Sequence, residues 1–315
     1  MSHWNHLSRA RWAAPSLAVA ALIAVSVGGC AGSDGANGGP STTPTTSPTV
    51  TGDTSAADLV PESIKSKGTI TIAIPDTGAP IAYKDGDDLK GMDPLLAEEL
   101  ASILGLKADL QYVPFTQALT GLQSGRYDLS FGEFYITPER LKAADFVSNW
   151  STYSSFLTRA DDSFKPETLS DVCGHSVGAV AGSAELAFLQ AGAKECEKQN
   201  KKSIDVHAFP DFNAAMLAVS SSRVDATMND RGAEELAIQK GQPFKISGKA
   251  GGGPCSTAVR RTDDSAQMLQ AVKKAYEIMI SSGAYAKILD EAGTTYGAIT
   301  DPEIYTADST PPDYS

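Results

Sequence analysis

Short β-branched runs alternate with helical patterns along two successive stretches of this chain, and this alternation constrains the fold more than any other feature. The first stretch contains predicted strands at 69–74, 108–113 and 127–131. The second contains predicted strands at 176–180, 204–209 and 224–228. Strands joined by helices form mainly parallel sheets that those helices cover. We therefore predict an α/β fold with the same architecture in both stretches.

The segments outside this alternation set the limits of the folded part. Residues 1–29 combine two arginines with an apolar run too short to span a membrane, which is typical of a signal peptide. Residues 30–66 begin with Gly, Ser, Thr, Pro and Ala and offer little to bury, so we expect a disordered tether there. Residues 300–315 have the composition of a second loose tail. The residues between these segments suit two modest lobes better than one core.

Cys30 ends the sequence Val-Gly-Gly-Cys directly after the apolar run. This pattern resembles the lipobox of bacterial lipoproteins, in which the cysteine is acylated and becomes the new N-terminus. The alternative is a soluble exported protein that is cut nearby, with Cys30 incidental. We favour the lipoprotein because the cysteine follows two glycines. The protein would then be anchored to the outer face of the cell membrane.

Charge and cysteine content exclude several kinds of site. The formal net charge is −12 and no basic cluster is present, so we expect no nucleic-acid partner. Three cysteines follow Cys30, and two of them are expected to form a disulfide in an exported protein. The sequence has no Cys-x-x-Cys motif and no histidine cluster, so we expect neither a zinc site nor a cofactor.

Arg140 stands in an unusual place for a cation. A helix over 137–143 is predicted to begin at Thr137, which would put Arg140 in the first turn. The helix dipole disfavours a cation there by about 0.3–1 kcal/mol, so the placement calls for an anionic partner. One candidate partner is Asp145. The other is the carboxylate of a ligand, which a guanidinium binds with two charge-assisted hydrogen bonds.

Two further strand–helix junctions favour the ligand. Ser183 follows Gly182 and is predicted to cap a helix whose first N–H groups face any bound anion. Asp230 follows the strand at 224–228 and is placed to accept an ammonium group. Ligands of open α/β sheets bind beyond the carboxyl ends of the strands. We therefore expect these residues and Arg140 to form one cleft that binds an α-amino acid.

Eight motifs in this chain resemble those of one family. They are Gly-Thr-Ile-Thr-Ile-Ala-Ile-Pro, Lys-Gly-Met-Asp-Pro-Leu-Leu-Ala-Glu-Glu-Leu, Leu-Gln-Ser-Gly-Arg-Tyr-Asp-Leu, Tyr-Ile-Thr-Pro-Glu-Arg, Asp-Phe-Val, Val-Gly-Ala-Val-Ala-Gly-Ser, Ser-Arg-Val-Asp-Ala-Thr-Met-Asn-Asp and Ser-Gly-Ala-Tyr-Ala-Lys-Ile-Leu. In this order, from about Gly68 to Ala298, they resemble the solute-binding proteins of polar amino-acid ABC transporters, the bacterial extracellular solute-binding proteins of family 3.

The resemblance implies a two-lobed flytrap of the type II periplasmic-binding-protein kind. Each lobe would be a mixed, mainly parallel sheet flanked by helices. Lobe 1 would comprise 67–152 plus 256–299, and lobe 2 would comprise 153–255. The chain would cross between the lobes at hinges near 150–156 and 248–256.

The resemblance also implies a set of ligand contacts. The α-carboxylate would be held by Arg140 and by the backbone N–H groups of Tyr135 and Ala184, and the α-ammonium by Asp230. Phe115 matches an aromatic residue that stacks on the ligand side chain. Ser183 matches the Ser or Thr of the family's glycine turn.

Three departures from the family pattern bear on which ligand is bound. Glu133 stands where the family has a small residue, beside Tyr135 in place of Ser or Thr. Gly78 replaces the second stacking aromatic, and Ala184 lacks a hydroxyl group. Glu133, together with Asp76, would place acids in the pocket and select a cationic or strongly polar side chain. The alternatives are that Glu133 is an exposed acid at a strand end and that Asp76 is a turn residue.

Cys173 and Cys196 are expected to form the disulfide. They bracket a strand and a helix of one β–α unit, whereas Cys255 lies near the expected hinge and is left unpaired.

The function expected from these observations is that of a monomeric solute-binding lipoprotein and not an enzyme. It would capture an amino acid, polar or cationic, and deliver it to the membrane permease of an ABC transporter. The alternatives are an exported dehydratase-like enzyme of the same fold, and a sensor or interaction lipoprotein.

Overall fold

The predicted α/β alternation is present in the computed structural model, which describes residues 53–314. The expected signal peptide, Cys30 and the first part of the expected tether lie outside the described residues. The strands are β1 (Thr69–Pro75), β2 (Tyr83–Asp85), β3 (Asp88–Lys90), β4 (Lys107–Val113), β5 (Leu129–Tyr135), β6 (Asp145–Arg159), β7 (Ser176–Val180), β8 (Asp205–Phe209), β9 (Ala226–Asp230), β10 (Phe244–Val259) and β11 (Ile304–Tyr305).

The helices lie between these strands and after them. They are α1 (Ser55–Asp58), α2 (Glu62–Lys65), α3 (Met92–Ile103), α4 (Phe115–Gln123), α5 (Arg140–Ala143), α6 (Ala184–Lys198), α7 (Phe212–Ser220), α8 (Arg231–Gln239), α9 (Ser265–Ser281) and α10 (Ala284–Ala292), followed by a 3₁₀ turn at Thr295–Gly297.

Two long antiparallel strands join the two parallel groups. The main sheet has the order β4-β1-β5-β10-β6-β9-β7-β8, with β11 added beside β6. Strands β4, β1 and β5 run parallel to one another, as do β9, β7 and β8. Strands β6 and β10 pair with each other along most of their length, and each of them also borders one parallel group. The sheet is therefore mixed, as the predicted fold class requires.

Burial explains the composition of β1, the middle strand of the first parallel group. Ile70, Ile72 and Ile74 of β1 alternate along one face and are fully buried in the largest core cluster. Ala73 points to the other face and is buried in a second cluster. A strand that is covered on both faces has to be apolar at nearly every position.

The closing helices α9 and α10 pack on the first parallel group. Met268, Val272 and Tyr276 of α9 are buried in the same core cluster as β1. Helix α9 lies against α1, α3 and α10. The chain therefore returns to its first half after β10.

Two expectations about the ends of the folded part are wrong. The expected tether includes α1 and α2, whose residues Ala56 and Ile64 are buried in the main core together with Val60 between them. The expected loose tail pairs with β6 through β11, and Tyr314 is buried near the end of the chain. Small amphipathic pieces of this kind are hard to recognise in sequences rich in Pro, Ser and Asp.

The structure contains the expected disulfide between Cys173 and Cys196. Both residues pack in the core cluster beneath the second parallel group. Cys255 is a free, fully buried cysteine in β10. Among the described residues, no helix has the length and apolar composition that crossing a membrane requires.

Candidate functional site

One pocket collects all eight ligand-binding residues that the sequence analysis named. They are Asp76, Phe115, Glu133, Tyr135, Arg140, Ser183, Ala184 and Asp230. The pocket has an empty volume of about 560 Å³, which includes the open solvent at its mouth. Its lining comes from loops and strand ends of both parallel groups. The contacts of each of these residues to a ligand remain predictions.

Arg140 is buried in the pocket, with 8% of its surface exposed. Its guanidinium donates hydrogen bonds to the carbonyl oxygens of Tyr135 at 2.9 Å and of Gly182 at 3.1 Å. No carboxylate of the described residues forms an ion pair with it, and Asp145 instead pairs with Arg261 at 2.6 Å. Burial lowers the pKa of Arg140, while the nearby Glu185 acts in the opposite direction.

The helix that carries Arg140 is shorter than predicted. Regular helical structure begins at Arg140, and residues 137–139 form a preceding turn. The Thr137 hydroxyl accepts a hydrogen bond from the Arg140 N–H at 3.3 Å, as a capping residue does. Because α5 has only four residues, its N-terminus contributes little to anion binding, and the Arg140 side chain is the main cationic feature of this junction.

The second junction has the predicted geometry. Ser183 caps α6 by accepting a hydrogen bond from the Leu186 N–H at 3.1 Å. Gly182 before it has a φ of 80°, which a residue with a side chain rarely adopts. Helix α6 is 15 residues long, so its N-terminus carries a full helix dipole toward the pocket. Ala184 is the first residue of this helix.

Asp230 ends β9 and also caps α8, a role that the sequence analysis did not assign. Its Oδ1 accepts a hydrogen bond from the Ala233 N–H at 3.0 Å, and its Oδ2 accepts one from the Thr152 hydroxyl. Burial raises the pKa of Asp230 to about 6, although these hydrogen bonds oppose the shift. A carboxylate has about four lone-pair sites, so Asp230, which lines the pocket, can still accept a cation.

Glu133 lies in the pocket wall and forms no ion pair with a residue of the described range 53–314. Its Oε1 is buried without a hydrogen-bond partner in the described part of the chain. Burial raises the pKa of Glu133, and repulsion from Asp230, Asp93 and Glu185 adds to this shift. Asp93 lies beneath it, 1% exposed, with a pKa raised to about 8 by burial. The interpretation of Glu133 as an exposed acid at a strand end is therefore wrong.

Asp76 also lines the pocket, but it is better satisfied. Burial raises the pKa of Asp76 and the proximity of Asp211 adds to this shift, whereas the neighbouring Tyr112 hydroxyl opposes it. Asp76 therefore contributes negative charge to one wall while remaining tied to the protein.

Phe115 lies near the guanidinium of Arg140, whose central carbon is 5.7 Å from the ring centroid. Gly78 stands where the family has a second stacking aromatic residue, and an aromatic side chain from another element lies beside it. Phe212, the first residue of α7, packs against Gly78, and a Cβ placed at Gly78 would come within 3.0 Å of the Phe212 ring. Both phenylalanines line the pocket. This arrangement is not visible in the sequence because it requires contact between the two halves.

Tyr135 uses its side chain to join several elements. Its hydroxyl lies 3.4 Å from the Ser154 hydroxyl, which in turn donates a hydrogen bond to Glu185 at 2.7 Å. Its ring centroid lies 4.5 Å from that of Tyr314. Tyr135 is larger than the Ser or Thr of the family, and its side chain is accommodated because it packs beside the pocket as well as at its edge.

Glu185 and Thr152 are pocket residues that sequence reasoning missed. Glu185 belongs to the same strand–helix junction as Ser183, but an acid in the first turn of a helix is commonly there for the dipole alone. Thr152 lies within the long strand β6, where nothing in the local sequence marks it. No cluster of His, Cys, Asp or Glu within residues 53–314 has a geometry that could hold a metal ion.

Comparison with known proteins supports this reading of the fold. The family described as "Bacterial extracellular solute-binding proteins, family 3" matches residues 70–294. The L-cystine-binding protein TcyA of Bacillus subtilis is 28% identical over 231 residues, which cover 72% of this chain and 81% of TcyA.

Solved structures show the same fold. An ancestral arginine-binding protein bound to arginine is 28% identical, with a TM-score of 0.65 over 71% of this chain and 97% of that chain. The ancestral amino acid-binding protein AncCDT-1, a precursor of cyclohexadienyl dehydratase, is 22% identical, with a TM-score of 0.65 over 74% of this chain and 98% of that chain. At that identity the second likeness concerns the fold alone. The fold is that of the type II periplasmic binding proteins.

Proposed function

The chain belongs to the bacterial extracellular solute-binding proteins, family 3, and from that premise we propose that it captures an α-amino acid in the pocket described above. Arg140 and the N–H groups of Ala184 and Tyr135 bind the α-carboxylate, and Asp230 binds the α-ammonium. Phe115 packs on the ligand side chain, and Ser183 holds the turn that presents Ala184. Binding involves no covalent chemistry.

The observation that carries this proposal is the state of Arg140. Its guanidinium is buried in the pocket, and its hydrogen-bond acceptors within the described residues are two carbonyl oxygens. A carbonyl oxygen does not neutralise a buried cation, so the group remains short of an anionic partner. A ligand carboxylate supplies that partner with two-pronged geometry. The N-terminus of α6 lies at the same pocket, so its dipole adds to the attraction for the ligand carboxylate.

Capture proceeds by closure of two lobes, comprising 67–152 plus 256–299 and 153–255. The crossovers between them lie in β6 and β10. Gly251, Gly252 and Gly253 in β10 all have positive φ values, and such backbone can absorb the torsional changes that closure needs. The radius of gyration in solution should fall when the ligand binds, and a constant value would argue against closure.

The bound amino acid is then delivered to the permease of an ABC transporter. The protein acts as a monomer that is anchored to the outer face of the cell membrane by a lipid on Cys30, which the Val-Gly-Gly-Cys sequence favours. Replacing Cys30 with Ala should move the protein from the membrane fraction to the soluble exported fraction. Unchanged partitioning would remove the lipid anchor from the proposal.

The test of ligand capture combines identification with mutation. Small molecules released from the purified, denatured protein are identified by mass spectrometry, and binding of the recovered amino acid is then measured by calorimetry. Arg140→Ala should weaken binding at least about a hundredfold, because removing one member of a buried charge pair costs roughly 3–5 kcal/mol.

Arg261→Ala is the matched control. Arg261 pairs with Asp145 and lies outside the pocket lining. Its loss should lower the melting temperature and leave the affinity unchanged. If Arg140→Ala binds the ligand normally, Arg140 is a structural residue and the proposed carboxylate contact is wrong.

A further inference from the structure

Glu133 occupies a position that a regular strand does not provide. Its φ is 51° within β5, and the preceding Gly132 has a φ of 129°. Opposite them, Ser256 of β10 pairs with Phe134 while Ala258 pairs with Ser130, so β5 carries extra residues between these pairs. This is a β-bulge, and bulges next to binding sites re-aim a side chain.

The bulge is specified by the sequence around it. A Cβ at Gly132 would lie 2.8 Å from the Pro75 side chain, so a glycine is needed there. A residue other than Gly, Asn or Asp is unfavourable at a positive φ and persists only where the surroundings impose it. The unusual backbone at Glu133 therefore points to a role for its side chain in the pocket.

The charge of the pocket is unbalanced. Four carboxylates, those of Asp76, Glu133, Glu185 and Asp230, line it together with one guanidinium. None of these carboxylates forms an ion pair with a lysine or arginine in the part of the chain that the structure describes. An α-amino acid brings one carboxylate and one ammonium, so binding its backbone groups alone leaves the excess of acidic over basic groups in place.

Glu133 is the member of this group that lacks partners. Asp230 accepts hydrogen bonds from Thr152 and Ala233, and Glu185 accepts one from Ser154. Glu133 has a buried oxygen with no hydrogen-bond partner among the described residues. A buried carboxylate without a donor is costly, and a cation removes that cost most effectively.

We propose that Glu133 is the specificity-determining residue of the pocket and that it binds a cationic group at the end of the ligand's side chain. The ligand is then a basic amino acid. This inference rests on the proposed function, because it places the α-carboxylate at Arg140 and the side chain toward Glu133. Phe115 and Phe212 in the same lining offer aromatic faces to such a cation.

The experiment uses ligand pairs that differ mainly in charge. L-arginine and L-citrulline have nearly the same shape, but only arginine is cationic, and L-ornithine and L-glutamine form a shorter pair. For the wild-type protein, calorimetry should give an affinity at least about thirtyfold higher for the cation in the better-fitting pair, as expected for a buried charge pair. Glu133→Gln keeps the side-chain volume and should abolish this preference.

Glu139→Gln is the control, since Glu139 is exposed in the turn before α5, and it should keep the full preference. Equal or tighter binding of the neutral member in both pairs, or an undiminished preference in Glu133→Gln, would overturn the role of Glu133. In either case, continued dependence of binding on Arg140 leaves the proposed function intact. Absence of binding by every amino acid tested would overturn both.

Discussion

The Tyr314 hydroxyl accepts a hydrogen bond from the backbone N–H of Ile136 at 2.7 Å, just after the strand that carries Glu133 and Tyr135. The same hydroxyl donates to the Pro254 carbonyl oxygen at 2.8 Å. The end of the chain is thus tied both to the pocket-bearing strand β5 and to the long strand β10. Tyr314, which makes both contacts, lies beyond residue 294, where the family match ends.

Tyr314→Phe should destabilise the protein while preserving its packing. The variant leaves a buried N–H and a partly buried carbonyl oxygen without their partner, which costs about 1–3 kcal/mol. For a protein of this size the melting temperature should fall by about 2–4 °C for each kcal/mol lost. Thermal melts measure the effect.

Tyr305→Phe serves as the control for this prediction. Tyr305 lies in β11, and its hydroxyl forms a hydrogen bond with the exposed Glu303. Its loss should change stability by less than about 0.5 kcal/mol, as for other surface changes. Identical melting of Tyr314→Phe and the wild-type protein would mean that the end of the chain does not stabilise the fold.

Asp230→Asn should alter the dependence of stability on pH. Asparagine also caps helices through its Oδ1, and its NH2 group can donate to the Thr152 hydroxyl in place of the hydrogen bond that Oδ2 accepts, so the local structure should persist. The pKa of Asp230 is raised from 3.8 to about 6 in the folded protein. A carboxyl group of this kind contributes stability that is fully present below its unfolded pKa and is lost as the pH rises through its folded pKa.

The ligand-free variant should therefore match the wild-type protein near pH 4 and become more stable than it above pH 6. The difference should reach the order of 3 kcal/mol, from about 1.4 kcal/mol for each pKa unit. Melts at a series of pH values without amino acid test this. A difference that is the same at all pH values would show that Asp230 does not titrate in this range. The same variant should bind the amino acid more weakly because it lacks the charge that accepts the ammonium.

The Cys173–Cys196 disulfide should stabilise the second half of the protein by roughly 2–4 kcal/mol. Adding a reductant should lower the melting temperature of the wild-type protein. A variant with both cysteines replaced by alanine should melt lower from the start and should not respond to the reductant. Peptide mapping without reduction should recover these two cysteines joined and Cys255 free. A bridge that includes Cys255 would contradict the arrangement of the strands around it.

The sequence predicted the alternating strands and helices of the two parallel groups because local patterns carry that information, whereas it did not predict the long strands β6 and β10. Strand β1 needs apolar residues on both faces, and its run of Ile70, Ile72 and Ile74 is visible without any structure. The end of β9 and the start of α6 are marked by Asp230 and Ser183, since capping chemistry depends on neighbours in the chain. A pocket position for Arg140 was expected from three strand–helix junctions taken together, since a cation at a helix start also fitted pairing with Asp145.

The tertiary structure decided the features that depend on contacts between distant residues. Phe212 fills the space left by Gly78, although 134 positions separate them in the sequence. Thr152 meets Asp230 only because β6 and β9 are neighbours. The bulge that turns Glu133 toward the pocket depends on how β5 pairs with β10, and the position of Tyr314 depends on a groove beside Tyr135. Local patterns specify helices and strands, whereas pairing register and packing arise only when the whole chain is folded.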